Sequence, residues 1–376
     1  MVYGIICEFN PFHDGHRYLI EKTRKETGAD KIVCIMSGSM VQRGDVAVFD
    51  KWSRARSAIE GGADLVVELP VSCVLQSADN FALGGVSILN AMGADGIAFG
   101  SECDDANLLN YAADIRISEP PGYKAALQSA LESGMGYPAA CHAALKSQMK
   151  SATDVMSMPN STLAISYIKA CKMLGSKMNF HVIKRKGEYH SEDIDAAVPG
   201  ATAIRHDIRN NGKKSRFYSC TNGEIYDIMR LNALILGFFR MAAPETLSGI
   251  SGMEPGLENR MILAAKNSSD TDEFVANCVT KRYTAHRIRR VILCSLLGIR
   301  EYKLPRYARI LAMNSGGSEV LKAVKSAGNI EIVVKAADVC AQNADMLSKD
   351  ILATDIAALC CGKRAGADYK NSPIVF

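Results

Sequence analysis

Nowhere in these 376 residues is there a run of about 18 apolar side chains, so no segment reads as a transmembrane helix. The N-terminus lacks the basic stretch and apolar core of a signal peptide and starts directly into an apolar strand-like run, which predicts a cytosolic protein. No Cys-x-x-Cys occurs. The 12 cysteines are scattered singly through apolar segments, as at Cys7, Cys34, Cys73 and Cys294, and only Cys360 and Cys361 adjoin. That pattern argues against a disulfide framework and against structural zinc, and predicts reduced core thiols. Internal repeats and low-complexity tails are missing as well. The net charge of +4 is too small to announce a polyanionic partner by itself. What remains is a chain long enough for two domains, each with its own apolar core.

The strands come early. Val2–Cys7, Lys31–Met36, Asp64–Leu69, Gly96–Phe99 and Asn179–Ile183 are short apolar runs, as parallel strands buried on both faces require. Helical patterns at His16–Thr27, Lys51–Glu60, Ser77–Met92 and Ser161–Leu174 separate them, and this alternation predicts a Rossmann-like parallel α/β sheet. Residues 104–150 read as a helical insertion broken by Pro120-Pro121-Gly122 and by Gly134–Pro138. The polar stretch Asn210–Ser215 is the expected boundary between residues 1–210 and a mainly helical second domain, 211–376. In that domain the pattern predicts helices at Gly223–Arg240, Pro255–Ala265, Thr271–Val279 and Thr284–Leu297. A βαβ-like unit follows, with strands at Tyr307–Met313 and Ile330–Val334 around helix Ser318–Ala327.

The densest chemistry sits at the first crossover, Phe9-Asn10-Pro11-Phe12-His13-Asp14-Gly15-His16. Pro11 stiffens the entry, Gly15 removes a Cβ where phosphates would come close, and the N–H groups of the new helix point into the same space. His13 and His16 then face an anion. A His-x-x-His pair is often structural or half of a metal site, but no cluster nearby has the spacing to complete a zinc site. The loop Ser37–Asp50, with Gln42, Arg43 and Asp45, lies at the carboxyl end of the second strand, where open α/β sheets keep their ligand crevice. Asn160 stands where an N-cap belongs. Arg185 lies in a basic loop, Lys184–Gly187, that leaves the fifth strand. Between Lys281 and Arg309 nine Lys or Arg, among them Arg282, Arg287, Arg289 and Arg290, face one acid, Glu301. Binding to an RNA backbone and a basic helix face paired with acids elsewhere both account for that excess.

The tetrad His13–His16 after a first strand resembles the HxGH signature of the nucleotidylyltransferase superfamily. The fuller string IICEFNPFHDGHRYLI, with GSMVQRGDVAVFDKWSRA at 38–55, LVVELPVSCVLQSADNFALGGV at 65–86 and FGSE at 99–102, resembles the tRNA(Met) cytidine acetate ligases. Residues 200–205, Gly-Ala-Thr-Ala-Ile-Arg, resemble the superfamily's second signature, with Thr202 and Arg205 left to carry its phosphate contact. The resemblance implies His13 and His16 as catalytic residues stabilising a triphosphate. It implies ATP contacts from Cys7, Glu8, Phe9, Asn10, Pro11, Phe12, His13, Asp14, Gly15, His16, Gly100, Asn160, Arg185, Thr202 and Arg205. Magnesium would come with the nucleotide rather than with a metal site in the protein. The partners implied are acetate, activated as acetyl-adenylate, and elongator tRNA(Met), acetylated at N4 of its wobble cytidine; neither DNA nor a membrane is expected. The basic segment with Arg282, Arg287, Arg289 and Arg290 becomes the tRNA-binding candidate. Two other readings share some of these motifs: a small-molecule adenylyltransferase making a dinucleotide cofactor, and an RNA-binding protein that keeps a nucleotide fold without catalysis.

Overall fold

The computed structural model describes residues 1–149, 154–185, 200–218, 221 and 223–376. Strand β1 (Val2–Cys7), helix α1 (Asp14–Thr27) and strand β2 (Lys31–Ser37) make the first crossover, and β1 and β2 pair in parallel from Val2 beside Lys31 to Cys7 beside Met36. A hairpin, β3 (Met40–Val41) with β4 (Asp45–Val46), precedes α2 (Lys51–Glu60), β5 (Leu65–Leu69), α3 (Val71–Val74), α4 (Ala78–Ala91) and β6 (Gly96–Ser101). Alternate residues of β2 enter opposite cores. Val33 and Ile35 meet Phe81, Val86 and Leu89 of α4, whereas Ile32, Cys34 and Met36 meet Ile20 of α1 and Ala55 and Ala58 of α2. Burial on both faces is why these strands read as unbroken apolar runs.

The insertion resolves into α5 (Ala106–Ser118), α6 (Pro121–Glu132) and α7 (Tyr137–Gln148), the last two opening with proline in the first turn. Helix α8 (Pro159–Met173) packs on α4 and α5 and leads to β7 (Asn179–Lys184), which extends the sheet in parallel beside β6. Of the basic loop expected after this strand, Lys186 and Gly187 lie outside the described residues. Helix α9 (Ala201–Asn211) follows.

Helices α10 (Asn232–Met241), α11 (Pro244–Leu247), α12 (Leu257–Lys266), α13 (Thr271–Cys278) and α14 (Ala285–Leu297) close around a second core of Ile235, Phe239, Met261, Phe274, Ile288 and Ile292. The helix expected from Gly223 starts only at Asn232. Ile225 bridges Phe49 in extended conformation and the Tyr226 N–H donates to the Val48 carbonyl at 2.9 Å, so this segment pairs with the chain before α2 instead of coiling.

The late βαβ unit is present as β8 (Tyr307–Met313), α15 (Ser315–Ala327) and β9 (Glu331–Val333). Strand β8 also runs antiparallel beside β5, and after α16 (Ala341–Leu359) and α17 (Ala367–Lys370) the strand β10 (Ile374–Val375) pairs with β8. Apart from the β3–β4 hairpin, a two-stranded sheet of its own, the described strands thus form one sheet in the order β10-β8-β5-β2-β1-β6-β7, with β9 on β8. Charges are buried at this junction. Lys51 Nζ lies 2.8 Å from Glu68 and 2.7 Å from Asp368, and Arg309 lies 2.6 Å from Asp368.

Candidate active site at the carboxyl ends of the strands

At the start of α1 the N-cap residue is His13, in extended conformation. Its Nδ1 accepts the Gly15 N–H at 3.0 Å, and the His13 N–H donates in turn to Nδ1 of His16 at 3.3 Å. This is a capping box built from two imidazoles, with the rings 3.9 Å apart. A neutral imidazole that accepts at Nδ1 carries its proton on Nε2. Both histidines therefore present Nε2–H donors, and among the described residues neither Nε2 has a hydrogen-bond partner. Burial, followed by the guanidinium groups of Arg185 and Arg205, lowers the His13 pKa to about 4. Burial, His13 and the same two arginines hold His16 well below its ordinary value. Phe9 and Phe12 pack against the His16 ring at centroid distances of 4.8 and 5.8 Å and fix its plane.

A cavity of about 460 Å³ opens over these rings. Of the fifteen residues to which the resemblance gives ATP contacts, Cys7, Glu8, Phe9, Asn10, His13, Asp14, Gly15, His16, Gly100, Asn160, Arg185, Thr202 and Arg205 line it. Pro11 and Phe12 do not; they are buried behind the histidines, where Phe12 fits so closely on α2 that a Cβ at Gly61 would lie 2.1 Å from its ring. Gly100, next to last in β6, has its missing side chain toward Arg185, whose Cγ would lie 3.3 Å from a Cβ there. Arg205 donates to the Asn10 carbonyl at 2.8 Å and to Thr202 Oγ1 at 3.1 Å, which pins the first turn of α9 to the loop after β1. Among the described residues no side chain caps α9 at Gly200, so its first N–H groups add a second helix N-terminus to the cavity wall. Burial, with Arg43 nearby, lowers the Arg205 pKa to about 10, so it stays cationic at neutral pH.

Asn160 is not the N-cap the sequence suggests. Helix α8 begins at Pro159 with Met158 as N-cap, and the cap is supplied from outside: Glu102 accepts the Ser161 N–H at 2.8 Å and the Asn160 side-chain N–H at 2.6 Å. Glu102 follows β6, so one carboxylate both caps α8 and turns Asn160 to the cavity. Gln42, Arg43 and Asp45, from the loop expected to position substrate, also line it. Arg54 was not legible as a site residue. It is fully buried, and its guanidinium donates to the carbonyls of Glu8 at 2.6 Å, Ser37 at 3.1 Å and Phe49 at 3.1 Å, and to that of Gly38. A signal existed: Lys51 and Arg54 fall on the stripe that Ala55, Ala58 and Ile59 bury.

The profile of the HIGH nucleotidyl transferase family matches residues 1–371. A tRNA(Met) cytidine acetate ligase of Acetivibrio thermocellus is 34% identical over 100% of this chain and 99% of its own, and one of Clostridium kluyveri is 35% identical over 99% and 98%. The chain belongs to the tRNA(Met) cytidine acetate ligase family. Two solved structures of Thermotoga maritima TmcAL agree with the fold over 100% of this chain and 99% of theirs: one bound with alpha-thio ATP at a TM-score of 0.88 and 30% identity, one apo at 0.91 and 29%.

In this member of the acetate ligase family the basic segment is less free than its sequence implies. Arg282 and Arg287 both pair with Glu254, and Arg289 with Asp272 at 2.6 Å. Arg290 turns inward and donates to the Gln42 carbonyl at 3.2 Å. Gly44, at φ +79° in the hairpin, passes so close to α14 that a Cβ would lie 2.5 Å from the Arg290 nitrogen. The hairpin that walls the cavity therefore rests on the basic helix. Among the described residues no group of three or more His, Cys, Asp or Glu could hold a metal ion.

Proposed function

We propose that this protein uses ATP to activate acetate as acetyl-adenylate and then passes the acetyl group to N4 of the wobble cytidine of elongator tRNA(Met). The observation that carries the reading is the imidazole capping box, with both Nε2–H groups turned into a cavity that Arg185 and Arg205 share. A triphosphate laid across the carboxyl ends of β1 and β6 would receive those donors, the N-termini of α1 and α9, and two guanidinium groups. All of them match the charge that develops on pyrophosphate as the acetate oxygen attacks the α-phosphorus. Such chemistry asks the protein for positioning and electrostatics. Acetate is already a nucleophile, so this first step requires no base.

The second step needs RNA at the same cavity. The Lys281–Arg309 segment supports that placement, since α14 abuts the hairpin at the cavity rim and Arg282 is still two-thirds exposed. On this reading residues 1–210 carry the nucleotide chemistry and 211–376 deliver the tRNA, with magnesium entering on the nucleotide. Incubation with ATP, labelled acetate and bulk tRNA, followed by digestion to nucleosides, tests it. Labelled N4-acetylcytidine is the expected product, and its absence with acetate-dependent pyrophosphate release intact would point to a different acceptor.

A further inference from the structure

One carboxylate of the cavity wall, on a residue the resemblance counts among the ATP contacts, has no task in the adenylation chemistry derived above. Among the described residues three carboxylates line the cavity. Asp14 is exposed in the first turn of α1, and Asp45 is held by Arg209 at 2.8 Å and by the Val46 N–H. Glu8 is set into the wall at the end of β1. Its Oε1 accepts the Gln42 N–H at 2.6 Å, and among the described residues its Oε2 has no hydrogen-bond partner.

Acyl transfer to an amine needs somewhere to put a proton, and among the described residues the histidines, cations, phenol and thiol of the cavity cannot take it. His13 and His16 already carry hydrogen on Nε2, and their Nδ1 atoms are occupied by the cap. Arg43, Arg185, Arg205 and Lys184 are cations, and burial pushes the Tyr167 phenol and the Cys7 thiol up, which leaves both protonated. We propose that Glu8 is the proton acceptor of the acyl-transfer step, a role that rests on the activity assigned above. The cytidine N4 lone pair attacks the acetyl carbonyl carbon and the C–N bond forms. The bond from that carbon to the phosphate oxygen breaks, AMP leaves with the electron pair, and the surplus N–H proton passes to Glu8 Oε2 and later to solvent.

The surroundings suit this role. Burial raises the Glu8 pKa above the ordinary carboxylate value, against the Gln42 N–H and the guanidinium groups of Arg43 on the hairpin, Arg205 on α9 and Arg54 on α2. It is thus a stronger base than an exposed carboxylate, while the three cations keep the acetate of the first step from being repelled.

Glu8→Gln tests the assignment through two rates. Acetate-dependent ATP–pyrophosphate exchange reads the first step without tRNA, and single-turnover acetylation of a tRNA(Met) transcript from preformed adenylate reads the second. We expect the second rate to fall about 10²–10⁴-fold further than the first, the range a positioned base contributes. Glu8→Asp should recover part of it. The wild-type transfer rate should rise with pH through a limb lying above the ordinary carboxylate range, which the glutamine variant lacks. Equal falls in both rates would make Glu8 a nucleotide-positioning residue and overturn the proposal, as would wild-type transfer without that limb, a result that does not need the variant to fold. Wild-type protein without acetate-dependent exchange would overturn the assigned activity, and the proposal with it.

Discussion

The Nδ1 atoms of His13 and His16 are occupied by the first turn of α1, and this decides both the tautomer and the direction of the remaining N–H groups. His16→Ala should therefore lower acetate-dependent pyrophosphate exchange by about 10²–10³-fold, the loss expected for one preorganised donor to a developing oxyanion. It should leave tRNA affinity within about twofold, by the same separation of sites. A pH effect follows from the low His13 pKa. Its folded value near 4 lies below the unfolded value of 6.5, so the unfolded chain takes up the proton first as the pH falls. Stability is complete above the unfolded value and is lost progressively as the pH falls toward 4. His13→Asn keeps a side-chain acceptor for the Gly15 N–H and removes this titration. Urea melts should match wild type at pH 7, and should favour the variant near pH 4 by on the order of 1–3 kcal/mol. Equal acid sensitivity in the two proteins would show that burial of His13 is not what the protonated form resists.

At the scale of elements, the hairpin β3–β4 joins two functions that the sequence presents as separate. Gln42 gives its N–H to Glu8 in the cavity and its carbonyl to Arg290 on α14. Arg289 and Arg290 are adjacent and read as equivalent phosphate ligands, yet the fold separates them: Arg289 meets Asp272 at the surface, and Arg290, half-buried, turns to the hairpin and donates to the Gln42 carbonyl. Arg290→Ala should accordingly slow both adenylate formation and acetyl transfer. Replacing Arg282 and Arg289 together should weaken tRNA binding about 10-fold and flatten the log–log salt dependence by about two, while pyrophosphate exchange stays within about twofold. Filter binding of tRNA at several salt concentrations separates these cases. A salt slope unmoved by the double replacement would put the tRNA elsewhere.

For the whole molecule, the buried charges at the junction of β5 and β8 tie the end of the chain to its beginning. Asp368 on α17 sits between Lys51 of α2 and Arg309 of β8, and all three are almost fully buried. Removing one member of such a cluster leaves an uncompensated charge in the interior. Asp368→Ala should destabilise by about 3–5 kcal/mol, seen as a lower urea midpoint, without a matching loss of nucleotide affinity at saturating ATP. An unchanged midpoint would mean that the cluster contributes specificity of pairing and little stability.

Local chemistry made the first half of this protein readable in one dimension. Double burial writes unbroken apolar strands, and a proline, a glycine and two histidines lie within a few residues of one another, so the first parallel strands and α1 could be read along the chain, while the fifteen nucleotide candidates, thirteen of which line the cavity, came from the family resemblance. Distance in sequence hid the rest. That Pro11 and Phe12 support rather than line the cavity, that Glu102 caps α8 in place of Asn160, that Arg54 holds four loop carbonyls, and that β8 returns to pair with β5 all depend on contacts between segments far apart. Periodicity and propensity report which face of an element is buried; only the packed fold decides against what.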